Sequence, residues 1–256
     1  MTALGAEKGR SSGAGAVTAS SILRISLSKG IRAARANLVP GTVLWIVGLS
    51  ILGLYFLHEP ARMALGELSR WKQRLGLRYS MVSTAVFGGL FPFLVQHLQR
   101  SLPRRTPWRH LPYLLSFWAV KGVEVDLWYQ FQSWAFGDAR DLRTLAIKVT
   151  VDQLVFSAIW AVPFTVIGLL WMEHRFKLRG FFSRLGPRWF LRHVVPVLLS
   201  NFMVWIPAVA MIYCLPLPLQ VPMHNLVLCI WSLMVLFMTR VEDSSEAGPG
   251  PPKRKE

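Results

Sequence analysis

Lys121 and Glu124 stand three residues apart, and Lys148 and Asp152 four apart, in stretches that are otherwise largely apolar. On a helix these spacings put each pair on one face, where the two charges can meet. Asp126 falls on a different face from Lys121 and Glu124. Gln153, Ser157, Ala161 and Thr165 recur every fourth residue and make a narrow small-and-polar stripe. Charges in apolar surroundings are costly unless they face one another or water. Two kinds of chemistry follow. The charges form an ion-pair cluster that orients a helix bundle, or they make a polar constriction that controls the passage of solutes. The stripe is a helix–helix contact, where small residues let backbones approach, or the lining of a cavity. The interior polar candidates are thus Lys121, Glu124, Asp126, Lys148, Asp152, Gln153, Ser157 and Thr165. A second stripe, Ser80, Thr84 and Gly88, reads as packing.

Catalysis is not expected, and no catalytic residue, cofactor or metal is assigned. The histidines, His58, His97, His110, His174, His193 and His224, include no pair at the spacing of a helical metal pair. The chain has no nucleophile elbow and no phosphate-cradling glycine loop. Ser26-Leu27-Ser28-Lys29 spells an SxxK, but within a basic amphipathic arm. Cys214 and Cys229 both lie in apolar runs and read as small buried hydrophobes.

The composition says what must hold these groups. Hydrophobic residues make up 53% of the chain and charged residues 16%, against roughly 25% charged in a soluble domain. Mean hydropathy is +0.38. The net charge of +16 would point to nucleic acid in a soluble protein. Here the basic residues sit between long apolar runs, the pattern of loops that meet anionic headgroups, so no nucleic acid is expected.

Hydropathy gives an all-α, polytopic transmembrane helical bundle of about six membrane helices. Residues 1–20, rich in Ala, Gly, Ser and Thr, read as a disordered arm. Residues 21–37 read as a basic amphipathic interfacial helix, with Leu23, Leu27, Ile31, Ala34 and Leu38 on one side and Arg24, Arg32 and Arg35 on another. Residues 1–37 together are expected to serve as a basic cytoplasmic arm or as an organelle transit peptide. The transmembrane domain covers 38–238. Leu38 to Leu57 carries no charge and reaches about 30 Å, the hydrocarbon thickness. Tyr79 to Gln99 follows, with a kink expected at Pro92. Leu111 to Trp134 holds Lys121, Glu124 and Asp126 and is either a charged interior helix or re-entrant. Leu145 to Met172 has Pro163 in its middle. Val194 to Met238 is too long for one crossing, and the prolines Pro216, Pro218 and Pro222 break it into two helices. Residues 239–256 read as a disordered tail. With six crossings, 20 basic residues fall on the side of both termini and 8 on the other. The termini are therefore placed on the cytoplasm-like side.

Lys148, Asp152, Gln153 and Phe156 match a K-x-x-x-D-Q-x-x-F pattern. Upstream, Gly122, Asp126, Trp128 and Tyr129 follow a G-P-x-x-H-x-W-Y pattern, with Val123 for the proline and Asp126 for the histidine. Downstream, Trp205, Pro207, Pro216, Gln220 and Trp231 follow W-P-P…V-P-x-x-x-R…W, with Gln220 for the arginine. The chain in this respect resembles the Mpv-seventeen / peroxisomal-membrane-protein-twenty-two family, as a divergent member. The likeness covers residues 79–238 and five of the membrane helices. It implies a small multi-spanning protein that passes small solutes with weak selectivity. The alternatives are a non-transporting membrane scaffold and a lipid-acting membrane enzyme. The partners expected are a bilayer with anionic headgroups on the basic side, small polar solutes and further copies of the chain. The host membrane is a bacterial inner membrane or an organelle membrane, mitochondrial inner or peroxisomal.

Overall fold

The computed structural model describes residues 19–99, 106–177, 181, 185 and 188–246, and every regular element among them is helical. The chain runs α1 (Ala19–Ala36), α2 (Leu38–Leu57), α3 (Glu59–Leu75), α4 (Leu77–Leu98), α5 (Leu111–Phe136), α6 (Leu142–Glu173), α7 (Phe190–Tyr213) and α8 (Leu217–Glu246). Helices α4, α6 and α7 are each long and apolar enough to cross a membrane. The pair α1 and α2, bent by 54°, makes a fourth if taken as one span. The three charges of α5 leave it outside that set.

Several boundaries differ from the sequence expectations. Of the arm over 1–20, residues 1–18 lie outside the described residues, and Ala19 and Ser20 already belong to α1. The tail expected from 239 is helical as far as Glu246, because no Gly or Pro interrupts the chain before Gly248. The rest of it, 247–256, is not described. The re-entrant form of the third segment is ruled out: α5 is one unbroken helix of 26 residues. The break near Pro216 falls where expected, between Tyr213 and Leu217.

Segment 59–75, not expected as an element, is a full amphipathic helix. The His58 ring accepts from the Ala61 amide at its start, Pro60 occupies its first turn, and Gly76 at φ 55° closes it. These are ordinary helix start and stop signals.

The expected kink at Pro92 takes a different form. Residues Ala85–Leu90 of α4 wind as a π-helix, and the Phe91 amide bonds back to the Val86 carbonyl, five residues earlier. The same happens in α6, where Asp152–Ala161 is π-helical ahead of Pro163. Phe190–Val194 of α7 is π-helical ahead of Pro196. A proline lacks an amide donor and its ring collides with the carbonyl four residues back. Widening the preceding turn relieves both problems without breaking the helix.

The most buried apolar cluster lies on the α7–α8 hairpin, with Val204, Ala208, Ile212, Leu219, Val221 and Val227 joined by Leu44 of α2 and Tyr129 of α5. Helix α1 packs along α7 through Ile22, Ser26, Gly30 and Asn37, and the Asn37 amide donates to the Ser200 hydroxyl. That is not the face expected to be apolar: Leu23, Leu27, Ile31 and Leu38 stay exposed.

Helices α4 and α5 approach closely at Gly122. A Cβ there would stand 2.2 Å from the Ser80 carbonyl oxygen and 2.7 Å from Thr84 Oγ1. Gly122→Ala is expected to destabilise the fold by roughly 1–3 kcal/mol. Gly66→Ala, on an open face of α3, is expected to gain about 0.5–1 kcal/mol. Unfolding of both variants in detergent checks the pair, and an unchanged Gly122→Ala would contradict the close approach.

Candidate functional site

Most of the buried polar groups, though not Ser26, Asn37, His110 and Ser200, lie toward the end of the bundle where α4, α6 and α8 begin and α5 and α7 finish. Helix positions explain this: Ser80 is three residues into α4, Asp152 ten into α6, His224 seven into α8, and Tyr213 ends α7.

Asp126 of α5 is surrounded by donors from three helices. Its Oδ2 accepts from Lys72 Nζ at 2.8 Å and from Ser80 Oγ at 2.5 Å. Its Oδ1 accepts from Gln130 Nε2 at 3.0 Å. The Lys72 and Asp126 side chains are 9% and 4% exposed, so water contributes little to either. Asp126 thus points away from the Lys121–Glu124 pair, as expected, and that pair closes at 2.6 Å. Lys121 Nζ also lies 5.7 Å from the Phe164 ring centre on α6, within cation–π range.

Asp152 is held differently. Its Oδ2 accepts from Trp128 Nε1 at 2.9 Å and from the Tyr213 hydroxyl at 2.8 Å. Its Oδ1 accepts from Gln153 Nε2 at 2.9 Å. Every donor is neutral, and among the described residues no ion pair engages Asp152. The meeting of Lys148 and Asp152 suggested by their spacing does not form. The turn between them is α-helical, with the Asp152 amide on the Lys148 carbonyl, but the carboxylate faces Trp128 of α5 and Tyr213 of α7, while Lys148 Nζ reaches Asp138 at 3.6 Å and lies 5.5 Å over the Tyr213 ring.

Around Asp152 the aromatic rings are ordered. Trp128 stacks on Phe156 with centres 4.7 Å apart. Tyr129 meets the Tyr213 ring edge-on at 5.5 Å, and its hydroxyl is 3.1 Å from His224 Nδ1. The His224 ring lies 4.9 Å from Trp205. Nearby, Thr84 Oγ1 donates to Asn225 Oδ1 at 2.8 Å, and Asn225 Nδ2 donates to Ser83 Oγ at 2.8 Å. Gln132 donates to the Lys148 carbonyl at 3.1 Å. The side-chain oxygens of Gln132, Gln153 and Gln220 are buried without a protein partner.

The expected stripe divides. Gln153 and Ser157 are buried beside Asp152, whereas Thr165 is half-buried and donates to the Ala161 carbonyl. Of the other motif positions, Gly122 makes the α4–α5 approach, and Pro207 lies inside α7. The Pro216 carbonyl accepts from the Leu219 amide, buried Gln220 donates to the Leu215 carbonyl, and Trp231 packs against the apolar cluster.

Lys72, Tyr213, His224 and Asn225 were not among the sequence candidates. Reading 59–75 as a helix brings Lys72 into consideration, because its last turn must fold back on the bundle. The other three are hydrogen-bonding side chains within the 194–238 region, which has no Lys, Arg, Asp or Glu, and counting full charges alone passes over them.

No protein-family model matches the chain, and no match to a curated protein or to a solved structure was found.

Replacing Lys72 by Met leaves Asp126 as a buried carboxylate without its cation. This should cost roughly 3–5 kcal/mol. The double variant Lys72→Met, Asp126→Leu should recover most of that loss. Thermal unfolding in detergent reads both, and equal losses in the single and double variants would contradict a buried ion pair.

Proposed function

We propose that the chain is an integral membrane protein of the Mpv-seventeen / peroxisomal-membrane-protein-twenty-two type that gives small polar solutes a weakly selective path, with the seam around Asp152 as its constriction. The observation that carries the reading is a buried carboxylate on an apolar helix, held by neutral donors alone. An ionisable group kept in such a place is costly and is by default functional.

Helices α2, α4, α5, α6, α7 and α8 are the six crossings of this reading. Their outward side chains favour it: Ile46, Leu49, Leu154, Ile159 and Trp160 are all exposed, an apolar exterior that suits lipid. Helix α5 crosses in spite of its three charges because each is paired. The exposed apolar row of α1, beside Arg24, Arg32 and Arg35, suits a helix lying among anionic headgroups. Both termini then share the basic side, and the Asp126 and Asp152 seams lie toward the other. The likeness to the family gains support from the meeting of its two motif segments, Trp128 on Asp152 and on Phe156. A bacterial inner membrane and an organelle membrane both suit this reading.

A non-transporting scaffold is the second reading. It is favoured by Asp126, whose two oxygens are saturated by Lys72, Ser80 and Gln130.

Liposomes holding the folded protein should leak small polar solutes. Asp152→Asn and Lys121→Gln should shift the ratio of cation to anion permeability, read as a change in reversal potential. Tight liposomes from folded protein contradict the path and leave the scaffold, in which the same substitutions lower stability alone.

A further inference from the structure

On the side formed by α2, α6 and α7 the bundle is open. A groove of about 520 Å³ runs between Leu49 and Leu52 of α2, Leu145 and Val149 of α6, and Met211 of α7. That volume falls in the range of small-molecule sites, about 300–1,000 Å³. Its walls are aliphatic nearly throughout, with Thr150 and Cys214 as the exceptions. Gly53 continues the Leu49–Leu52 face of α2 toward its end, and nothing lies within 4 Å of where its Cβ would be. The cleft therefore extends toward Phe56.

The groove has a cation at that mouth. Arg140, on the short connection before α6, places its guanidinium 5.5 Å from the Phe56 ring centre. Arg143 is exposed one residue beyond the groove residue Leu142. Among the described residues no ion pair engages either arginine. An apolar cleft that ends at an unneutralised guanidinium matches a molecule with a hydrocarbon tail and a phosphate at its head.

We propose that this groove is a binding site for one anionic phospholipid, its acyl chain between α2, α6 and α7 and its phosphate on Arg140. The site rests on the membrane-inserted reading above, though not on solute passage. It lies at the end of the bundle away from the termini, so the lipid comes from that leaflet.

The test uses the full chain in detergent with two photoreactive lipids, phosphatidylglycerol and phosphatidylcholine, each with a diazirine on its tail. The wild type should be labelled by the phosphatidylglycerol probe in peptides spanning 142–150, about fivefold more than by the phosphatidylcholine probe. Arg140→Gln should remove that preference. Ala146→Trp and Thr150→Trp, each at an exposed groove position, should abolish labelling with unchanged thermal unfolding. Equal labelling by the two lipids, no response to Arg140→Gln, or oxidative Cys214–Cys214 dimers that block the label would each overturn the proposal. The last would assign the groove to a second copy of the chain. Flotation with vesicles tests membrane insertion separately: a chain that does not float fails that reading, and one that floats unlabelled fails only the lipid site.

Discussion

A carboxylate carried into an apolar bundle must find donors there, and two such groups set the arrangement of the helices around them. Asp126 gathers Lys72 of α3, Ser80 of α4 and Gln130 of its own helix. Asp152 gathers Trp128 of α5 and Tyr213 of α7. Both centres draw on α5, where Asp126 and Trp128 are two residues apart. The Tyr129–His224 and Thr84–Asn225 contacts then bring in α8. Hydrogen bonds to charged groups contribute about 1.5–3 kcal/mol each, while an abandoned partner suffers the full desolvation penalty. The two carboxylates thus penalise any packing in which these helices separate.

Backbone chemistry makes the convergence sterically possible. Gly122 lets α4 and α5 come close enough for Ser80 to reach Asp126. Pro92, Pro163 and Pro196 act through the turn before them. The π-helical turn that accommodates Pro163 begins at Asp152 itself, so the same device that keeps α6 whole brings Asp152, Gln153 and Ser157 together on its buried side. Such turns are frequent at functional sites, where they re-aim side chains.

Much of this was legible in the sequence, and the gaps have physical causes. Apolar run length found α2, α4, α6 and the α7–α8 break, because burial and lipid exposure both demand long uncharged stretches. The Lys121–Glu124 pair followed from helical spacing, a local property. Lys72 did not, since its partner lies on another helix and its own helix resembles a basic loop in composition. The Lys148–Asp152 spacing misled for a related reason: both are buried on α6, but each meets partners from elsewhere in the chain, Asp138 for Lys148 and Trp128 and Tyr213 for Asp152. On α1 the buried face follows Ile22, Ser26, Gly30 and Asn37, because small and polar residues permit close contact with α7, and the larger aliphatics are left outside.

On the proposed reading, the face of α6 bearing Asp152 meets water and its opposite face meets lipid. Ser157 lies beside Asp152 and is buried, and Leu154 is 57% exposed on the outer side. In membrane vesicles, with Cys214 and Cys229 replaced by Ala, a charged water-soluble thiol reagent should modify Ser157→Cys and spare Leu154→Cys. Modification of Leu154→Cys alone would place the outer face in water and contradict the account. Protection of both would leave the seam as sealed packing and contradict its role as a path.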